Sequence, residues 1–326
     1  MKSGRVTRTL RRGLAACALA GLIGIVAPAS APVPPLAPPD AGKTVLVLSD
    51  TQAPMFWEML ILPWNRNDEA RQKILELVLG EPDPAAVFHL GDAVARGSEE
   101  ADWKPIDDFL ARLRARSIPV YGVMGNHEYI SSSGAGAARF RKRFPEFPRS
   151  WYSVRIVPLA FIVLNSNFGE LTAKERAEQQ KFYAEQLASL DGDPEVKGIV
   201  VCSHHPPYTN SKIVRPSFEA EREFVPPFIK SRKAKLYLSG HSHAAEHFIR
   251  EGKNFLVLGG GGGLLQPLRI GSAMRHEDHF PLRNEIRWFH YLRLQMNEEG
   301  WTVTFRMLRQ DLASWVDIYS FGAPWD

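Results

Sequence analysis

The chain has two cysteines in 326 residues, Cys17 and Cys202. A framework of intramolecular disulfides is excluded once Cys17 leaves with the N-terminal segment described below. Cys202 closes the apolar run Gly198-Ile199-Val200-Val201 and reads as a small buried hydrophobe rather than a reactive thiol. Acid is missing from the first 31 residues, which carry Lys2, Arg5, Arg8, Arg11 and Arg12. The formal charge of +4 and the pI of about 9.0 therefore belong to the N-terminus. Setting those five aside leaves 35 basic against 36 acidic side chains. A near-neutral remainder gives no general reason to expect a nucleic-acid scaffold or an anionic membrane as partner. No internal repeat is present, which excludes solenoids and propellers. The five-glycine run Gly259 to Gly263 lacks the Lys and Ser/Thr of a phosphate-binding Walker loop. It reads as a flexible loop, or as backbone brought close to a ligand.

What is present is ordinary globular composition, 44% hydrophobic and 23% charged, enough for a sizeable core. Residues 1–31 read as an export signal: a basic region through Arg12, an apolar run from Leu14 to Val26, and small residues from Ala27 to Ala31. The apolar run is too short to span a bilayer comfortably, so stable membrane insertion after cleavage is not expected. Arg11-Arg12 also allows the twin-arginine route. The expected localisation is secreted or periplasmic. Residues 32–42 are Pro-rich and read as a stiff linker, and residues 43–326 as one domain.

Seven apolar runs predict buried strands: 44–48, 86–88, 120–123, 161–164, 199–201, 236–238 and 255–258. Helical patterns lie between them over Glu69 to Leu79, Asp107 to Arg116, Thr172 to Leu190 with a Thr172/Glu175 capping box, and Glu219 to Lys230 interrupted by Pro226-Pro227. Residues 291–296 and 301–305 alternate around Asn297-Glu298-Glu299-Gly300 and predict a C-terminal β-hairpin with one wet face. Residues 130–139 and 207–227 read as mobile loops. Arg139, Arg141, Lys142 and Arg143 read as a solvated helix face. The class is α/β.

Five motifs follow strand-like runs: Asp50-Thr51-Gln52, Gly91-Asp92, Gly125-Asn126-His127-Glu128, His204-His205-Pro206 and Gly240-His241-Ser242-His243. Asp, Asn, Gln and His are the oxygen and nitrogen donors that hold metal ions. Ligand sites of open α/β sheets gather beyond the carboxyl ends of strands, where these motifs fall.

In this order the motifs resemble the calcineurin-like metallophosphoesterase superfamily, which includes the purple acid phosphatases, over about 200 residues. The resemblance implies a four-layer α/β/β/α core of two packed mixed sheets with helices outside. It implies a binuclear metal centre that hydrolyses a small phosphoester by attack of a metal-bridging hydroxide. Asp92 would bridge the metals; Asp50, Gln52 and His243 would complete the first site, and Asn126, His204 and His241 the second. His204 is chosen over His205 because the family places Pro two residues after the ligand, here Pro206; His205 would line the substrate mouth. His127 would serve the leaving group as catalytic acid. Arg96 matches a phosphate-contacting arginine of the protein-phosphatase branch.

Three positions depart from the family pattern. Gln52 replaces the usual histidine, a harder, neutral and weaker donor that tilts the site toward Mn or Fe, with Zn as the alternative. Ala95 stands three residues after Asp92, where purple acid phosphatases have tyrosine, so no iron–tyrosinate colour is expected. Many relatives have there an aspartate that orients the histidine; Glu128 is the candidate substitute. A phosphomonoesterase is the favoured reading. A phosphodiesterase acting on nucleotides or lipid headgroups is the alternative, and a non-catalytic metal-bearing scaffold a more distant one.

Overall fold

The strands form where β-branched and aliphatic residues run together, and the helices where apolar residues recur every three to four positions. A computed structural model describes residues 42–145 and 149–325. The expected export segment and all of the linker but Gly42 lie outside the described residues. In chain order the elements are β1 Lys43–Leu48, α1 Asn67–Gly80, β2 Ala86–His89, α2 Lys104–Ala115, β3 Val120–Gly122, α3 Ser133–Arg143, β4 Tyr152–Ile156, β5 Leu159–Val163, α4 Ala173–Gly192 and β6 Gly198–Cys202. They continue with α5 Phe218–Lys230, β7 Ala234–Ser239, β8 Ala245–Arg250, β9 Lys253–Leu258, β10 His290–Met296, β11 Gly300–Leu308 and β12 Trp315–Pro324.

Two six-stranded mixed sheets result, ordered β12-β11-β10-β1-β2-β3 and β4-β5-β6-β7-β9-β8. Within them β1, β2 and β3 run parallel, as do β5, β6, β7 and β9. Strand alternation assigns each apolar residue to a layer. Val45 and Val47 face the space between the sheets, with Phe161, Val200, Leu236 and Leu256 from the other sheet. Leu46 and Leu48 face outward onto α1, α2 and α3. Ile162, Val201 and Tyr237 face outward onto α4 and α5. Three apolar layers between four structural ones make the α/β/β/α core. Cys202 sits in the middle layer, fully buried, as expected, and burial pushes its thiol far above the usual range.

All seven apolar runs are strands, and Thr172 caps α4 as the sequence predicts: its Oγ1 accepts from Glu175 N at 3.2 Å and Glu175 Oε2 accepts from Thr172 N at 2.8 Å. Five expectations are corrected. Residues 133–143 are a helix, α3, whose Ala137 and Phe140 are buried against the first sheet. Arg143 does not belong to a solvated face: it lies 4.5 Å over the Trp103 ring and bonds Asp107 and Glu100. Pro226 and Pro227 do not interrupt α5, because Phe224, Val225 and Phe228 dock on the second sheet and tertiary packing outweighs the backbone bonds that proline removes. The C-terminal hairpin is the core of a three-stranded meander joined antiparallel to β1, and its outer face is half-buried rather than fully wet, with Arg293, Gln295 and Arg306 partly exposed. Thr302 and Thr304 are buried because the longer Gln295 and Arg293 stand directly opposite them. Residues 207–227 are only partly loop: Thr209, Asn210 and Ser211 are buried, with Glu246 accepting from Thr209 Oγ1 and Asn210 N, and α5 begins at Phe218.

Candidate metal centre

Each motif begins within four residues of the carboxyl end of a parallel strand, β1, β2, β3, β6 and β7, so two sheets deliver donors to one edge. The loops are tied together by backbone: Asp50 N donates to Gly91 O at 3.0 Å, and Gln52 N to Asp92 O at 3.1 Å. The link between sheets is direct, since His241 N donates to Asp50 Oδ1 at 3.0 Å. Asp50, Asp92 and His241 all take left-handed backbone conformations, with φ of 58°, 53° and 64°. Such conformations cost roughly 1–3 kcal/mol each in non-glycine residues and persist where surroundings over-determine them, which is common at functional sites.

Two groups of donors result. In the first, ligand atoms of Asp50, Asp92 and His243 lie within 4.8 Å of one another, all buried. Gln52 joins them. With its amide nitrogen donating to the Asp50 and Asp92 carbonyls at 3.2 and 3.0 Å, its oxygen faces His243 Nε2 at 3.0 Å. In the second group, His204, His205 and His241 gather equally closely. His204 Nε2 lies 3.1 Å from both Asp92 Oδ2 and Asn126 Oδ1, which places Asp92 between the groups. His204 Nδ1 bonds Leu90 O at 2.9 Å and His243 Nδ1 bonds Leu264 O at 2.7 Å. Those carbonyls fix the tautomers and turn both Nε2 lone pairs inward. All seven sequence-predicted ligands therefore converge.

His205 is nearer the centre than the substrate mouth alone would require. Its ring centroid is 4.5 Å from that of His241, and its Nδ1 bonds Ser166 Oγ at 2.9 Å. It also borders an open pocket of about 390 Å³ with Ser166 and Arg215. Arg215 was not singled out from the sequence, since it sits in no motif and only the fold brings it there. Arg96 lines a pocket of about 480 Å³ together with Thr51 and Ala93, neighbours of the ligands. Its guanidinium is held by both Asp102 oxygens, at 3.1 and 3.2 Å.

His127 is oriented, but not by Glu128. Its Nδ1 bonds the Ala95 carbonyl at 2.9 Å, so the residue whose side chain is missing supplies the partner from its backbone. His127 Nε2 stands 3.9 Å from Asp92 Oδ2. The buried Glu128 carboxylate instead accepts from Asp92 N, Ala93 N and Gly125 N at 2.9, 2.8 and 2.6 Å. It clamps two ligand loops. Burial, then the Asp92 charge, raise Glu128 to about 7.

The five-glycine run is corrected from a flexible loop to a packed wedge. A Cβ on Gly260 would meet His290 Nδ1 at 2.2 Å, and one on Gly261 would meet Ser49 O at 2.2 Å. Asn67 Nδ2 donates to Gly262 O and Gly263 O at 3.0 and 2.9 Å, and Gly263 N donates to Asp50 O at 2.9 Å. The run is glycine because backbone must pass between the Asp50 and His243 loops.

The residues fit metal. Asp50 and Asp92 are carboxylates with 0% and 1% exposure, and a buried carboxylate requires a counter-charge. Imidazoles face them. Burial opposes a charge on His204, but Asp92 outweighs it and raises His204 to about 9, while His204 draws Asp92 well below the carboxylate range against its own burial. Burial, then His205 and His204, hold His241 well below the usual imidazole range, leaving it neutral and able to coordinate. Burial, then the His204 charge, push His205 down to about 3. Two carboxylates, three imidazoles and two amide oxygens, with the His205 imidazole beside them, form a mixed set suited to Mn, Fe or Zn.

Two mixed sheets between helices, with oxygen and nitrogen donors gathered at their carboxyl edge, define a metallophosphoesterase-type protein. The chain belongs to the calcineurin-like phosphoesterase family, whose sequence profile matches residues 43–245. Among curated proteins none matches the sequence significantly. Among solved structures it is similar to GAP50, described as the anchor in the inner membrane complex of Plasmodium, with TM-score 0.65 and 14% identity over 87% of this chain and 89% of that one. It is also similar to a dimetal phosphatase from Danio rerio, with TM-score 0.53 and 14% identity over 89% of this chain and 100% of that one. At this identity these likenesses establish the fold. Family membership supports a metal-dependent phosphoester hydrolase with two metal ions.

Proposed function

We propose that the chain is an exported binuclear-metal phosphoesterase acting on a small phosphomonoester. The observation that carries this is the convergence of Asp50, Asp92 and His243 in one donor group and His204, His205 and His241 in another. Asp50, Gln52 and His243 would hold one cation, Asn126, His204 and His241 the other, and Asp92 would bridge them. Cations held there supply Lewis acidity toward phosphoryl oxygens and acidify water near neutral pH. The rest is done by side chains. The Leu90 and Leu264 carbonyls hold the ligand imidazoles in register. The Ala95 carbonyl accepts from His127 Nδ1–H, so that Nε2 points into the site, where the doubly protonated ring gives its Nε2 proton to the leaving oxygen and is left neutral. Gln52 in place of histidine favours Mn or Fe over Zn.

The test is hydrolysis of p-nitrophenyl phosphate by Mn- or Fe-loaded protein. Asp92→Ala and His241→Ala should each abolish turnover; activity surviving both changes, or complete metal removal, overturns the mechanism. Assay of bis-p-nitrophenyl phosphate beside the monoester decides against the diesterase alternative if the monoester is the better substrate. A non-catalytic scaffold is opposed by six of the seven ligand positions keeping the expected residue type, with the seventh, Gln52, still a donor. Export is supported by the N-terminal pattern, and N-terminal sequencing of the protein from its host tests it.

A further inference from the structure

The segment between β1 and α1 ends in an exposed apolar hook. Among the described residues eleven large hydrophobic side chains are exposed, and six of them, Phe56, Trp57, Met59, Leu60, Ile61 and Trp64, fall within nine positions. Phe56, Leu60 and Ile61 are 72%, 71% and 68% exposed. Exposed hydrophobes scattered singly are ordinary, whereas a cluster of this kind marks a contact surface. The buried Met55 and Leu62 anchor the hook, and the one-turn helix Glu58–Leu60 forms its tip. Glu58 is the one ionisable residue between Asp50 and Arg66. Its carboxylate turns back to accept from Met55 N at 2.7 Å.

The hook shares a pocket with neighbours of the metal centre. Phe56 and Trp57 line the pocket of about 480 Å³ together with Arg71, Arg96, Asp102, Thr51, which lies between the donors Asp50 and Gln52, and Ala95, whose carbonyl orients His127. Met55, Ala93 and Val94 also line this pocket, so apolar side chains lead from beside the donors toward the hook.

Resting on the phosphomonoesterase reading, we propose that the substrate is a lipid phosphomonoester. The phosphate would sit at the donors, the start of the tail against the Phe56–Trp57 wall, and the hook in the headgroup–acyl boundary of a lipid surface. Aromatic rings flank the segment and aliphatic side chains occupy its middle, the order in which side chains partition across that boundary. The one carboxylate of the segment, Glu58, is turned back onto Met55 N, so the large side chains exposed there are apolar, which matches acyl chains rather than the polar rim of a protein partner. Nine positions also fall short of the roughly 20–30 residues per side that a stable second-copy interface uses.

The test compares the full mature protein with Leu60→Ser/Ile61→Ser, an exposed double change outside the pocket and the donor set. Flotation with phosphatidylcholine vesicles needs no metal and reads the contact directly. The wild type should float, and the variant's partitioning should fall at least tenfold. With Mn restored, hydrolysis of phosphatidic acid in those vesicles should fall at least tenfold while that of soluble p-nitrophenyl phosphate stays within twofold. Failure of the wild type to float, equal flotation of the variant, or equal hydrolysis of phosphatidic acid by both overturns the proposal. So does a wild-type dimer, seen by sedimentation, that the double change dissociates. If neither substrate is cleaved, the phosphoesterase reading fails and takes the substrate assignment with it, while flotation still decides the lipid contact.

Discussion

His127 shows how far a single residue can be understood from its neighbours. The family aspartate that would orient it is absent, yet the Ala95 backbone carbonyl at 2.9 Å does the same work. The side chain at position 95 is therefore dispensable for this purpose, and Ala95→Gly should leave kcat for p-nitrophenyl phosphate within about threefold. His127→Ala should lower it by about 10²–10⁴, the usual scale for a positioned proton donor. A large loss from the glycine change, with Tm unaltered, would show that the carbonyl is not what positions the ring. Gln52 makes a second residue-scale prediction. Restoring a histidine by Gln52→His should tighten metal retention roughly tenfold or more, read as metal content after dialysis against a graded chelator. The donors themselves were legible in the sequence because chemistry restricts them to a few residue types. Their helpers, Leu90, Leu264 and Ala95, were not, because any residue has a carbonyl.

At the scale of elements, the ligand loops depend on clamps that bring no donor of their own. Glu128 accepts three buried N–H groups from two loops, so Glu128→Ala should destabilise the fold by about 3 kcal/mol, the cost of leaving such groups unsatisfied, measured by denaturant unfolding. Glycines separate in the same experiment. Gly261→Ala drives a Cβ into the Ser49 carbonyl and should cost about 2 kcal/mol or more and weaken metal binding. Gly134 lies in α3 with nothing within 4 Å of the added atom, and Gly134→Ala should stabilise by about 0.5–1 kcal/mol. Composition marked both regions as loops. It missed that one is a helix anchored by Phe140 and the other a wedge, since the space around a glycine is set by residues distant in sequence.

Over the whole molecule, stability carries the imprint of buried charge. Glu246 is fully buried, and burial raises its carboxyl to about 7. Its folded pKa lies above the unfolded value of 4.5, so its stabilising contribution is full below about pH 4.5 and is lost as pH rises to about 7. Glu246→Gln keeps a hydrogen-bonding amide and removes the titration. The variant should gain on the wild type across that window by about 3 kcal/mol and hold a constant margin above it, in unfolding curves taken from pH 4 to 8. A flat difference would show that Glu246 binds its proton equally in the folded and unfolded states. Metal acts on the same scale, because ions that bind the folded donors stabilise by mass action. Adding Mn should raise Tm and chelation should lower it, and Asp92→Ala should abolish the difference.

The amino-acid order by itself determined the strands, the capped helix α4, the α/β class and the donor set, because hydrophobic period and ligand chemistry are local properties written residue by residue. The tertiary structure alone decided that His205 stands beside His241, that Arg96 is held by Asp102, that the glycine run is packed, and that six apolar side chains at positions 56–64 find no cover. Those facts concern which distant surfaces meet, and only the packing of one sheet on the other settles that.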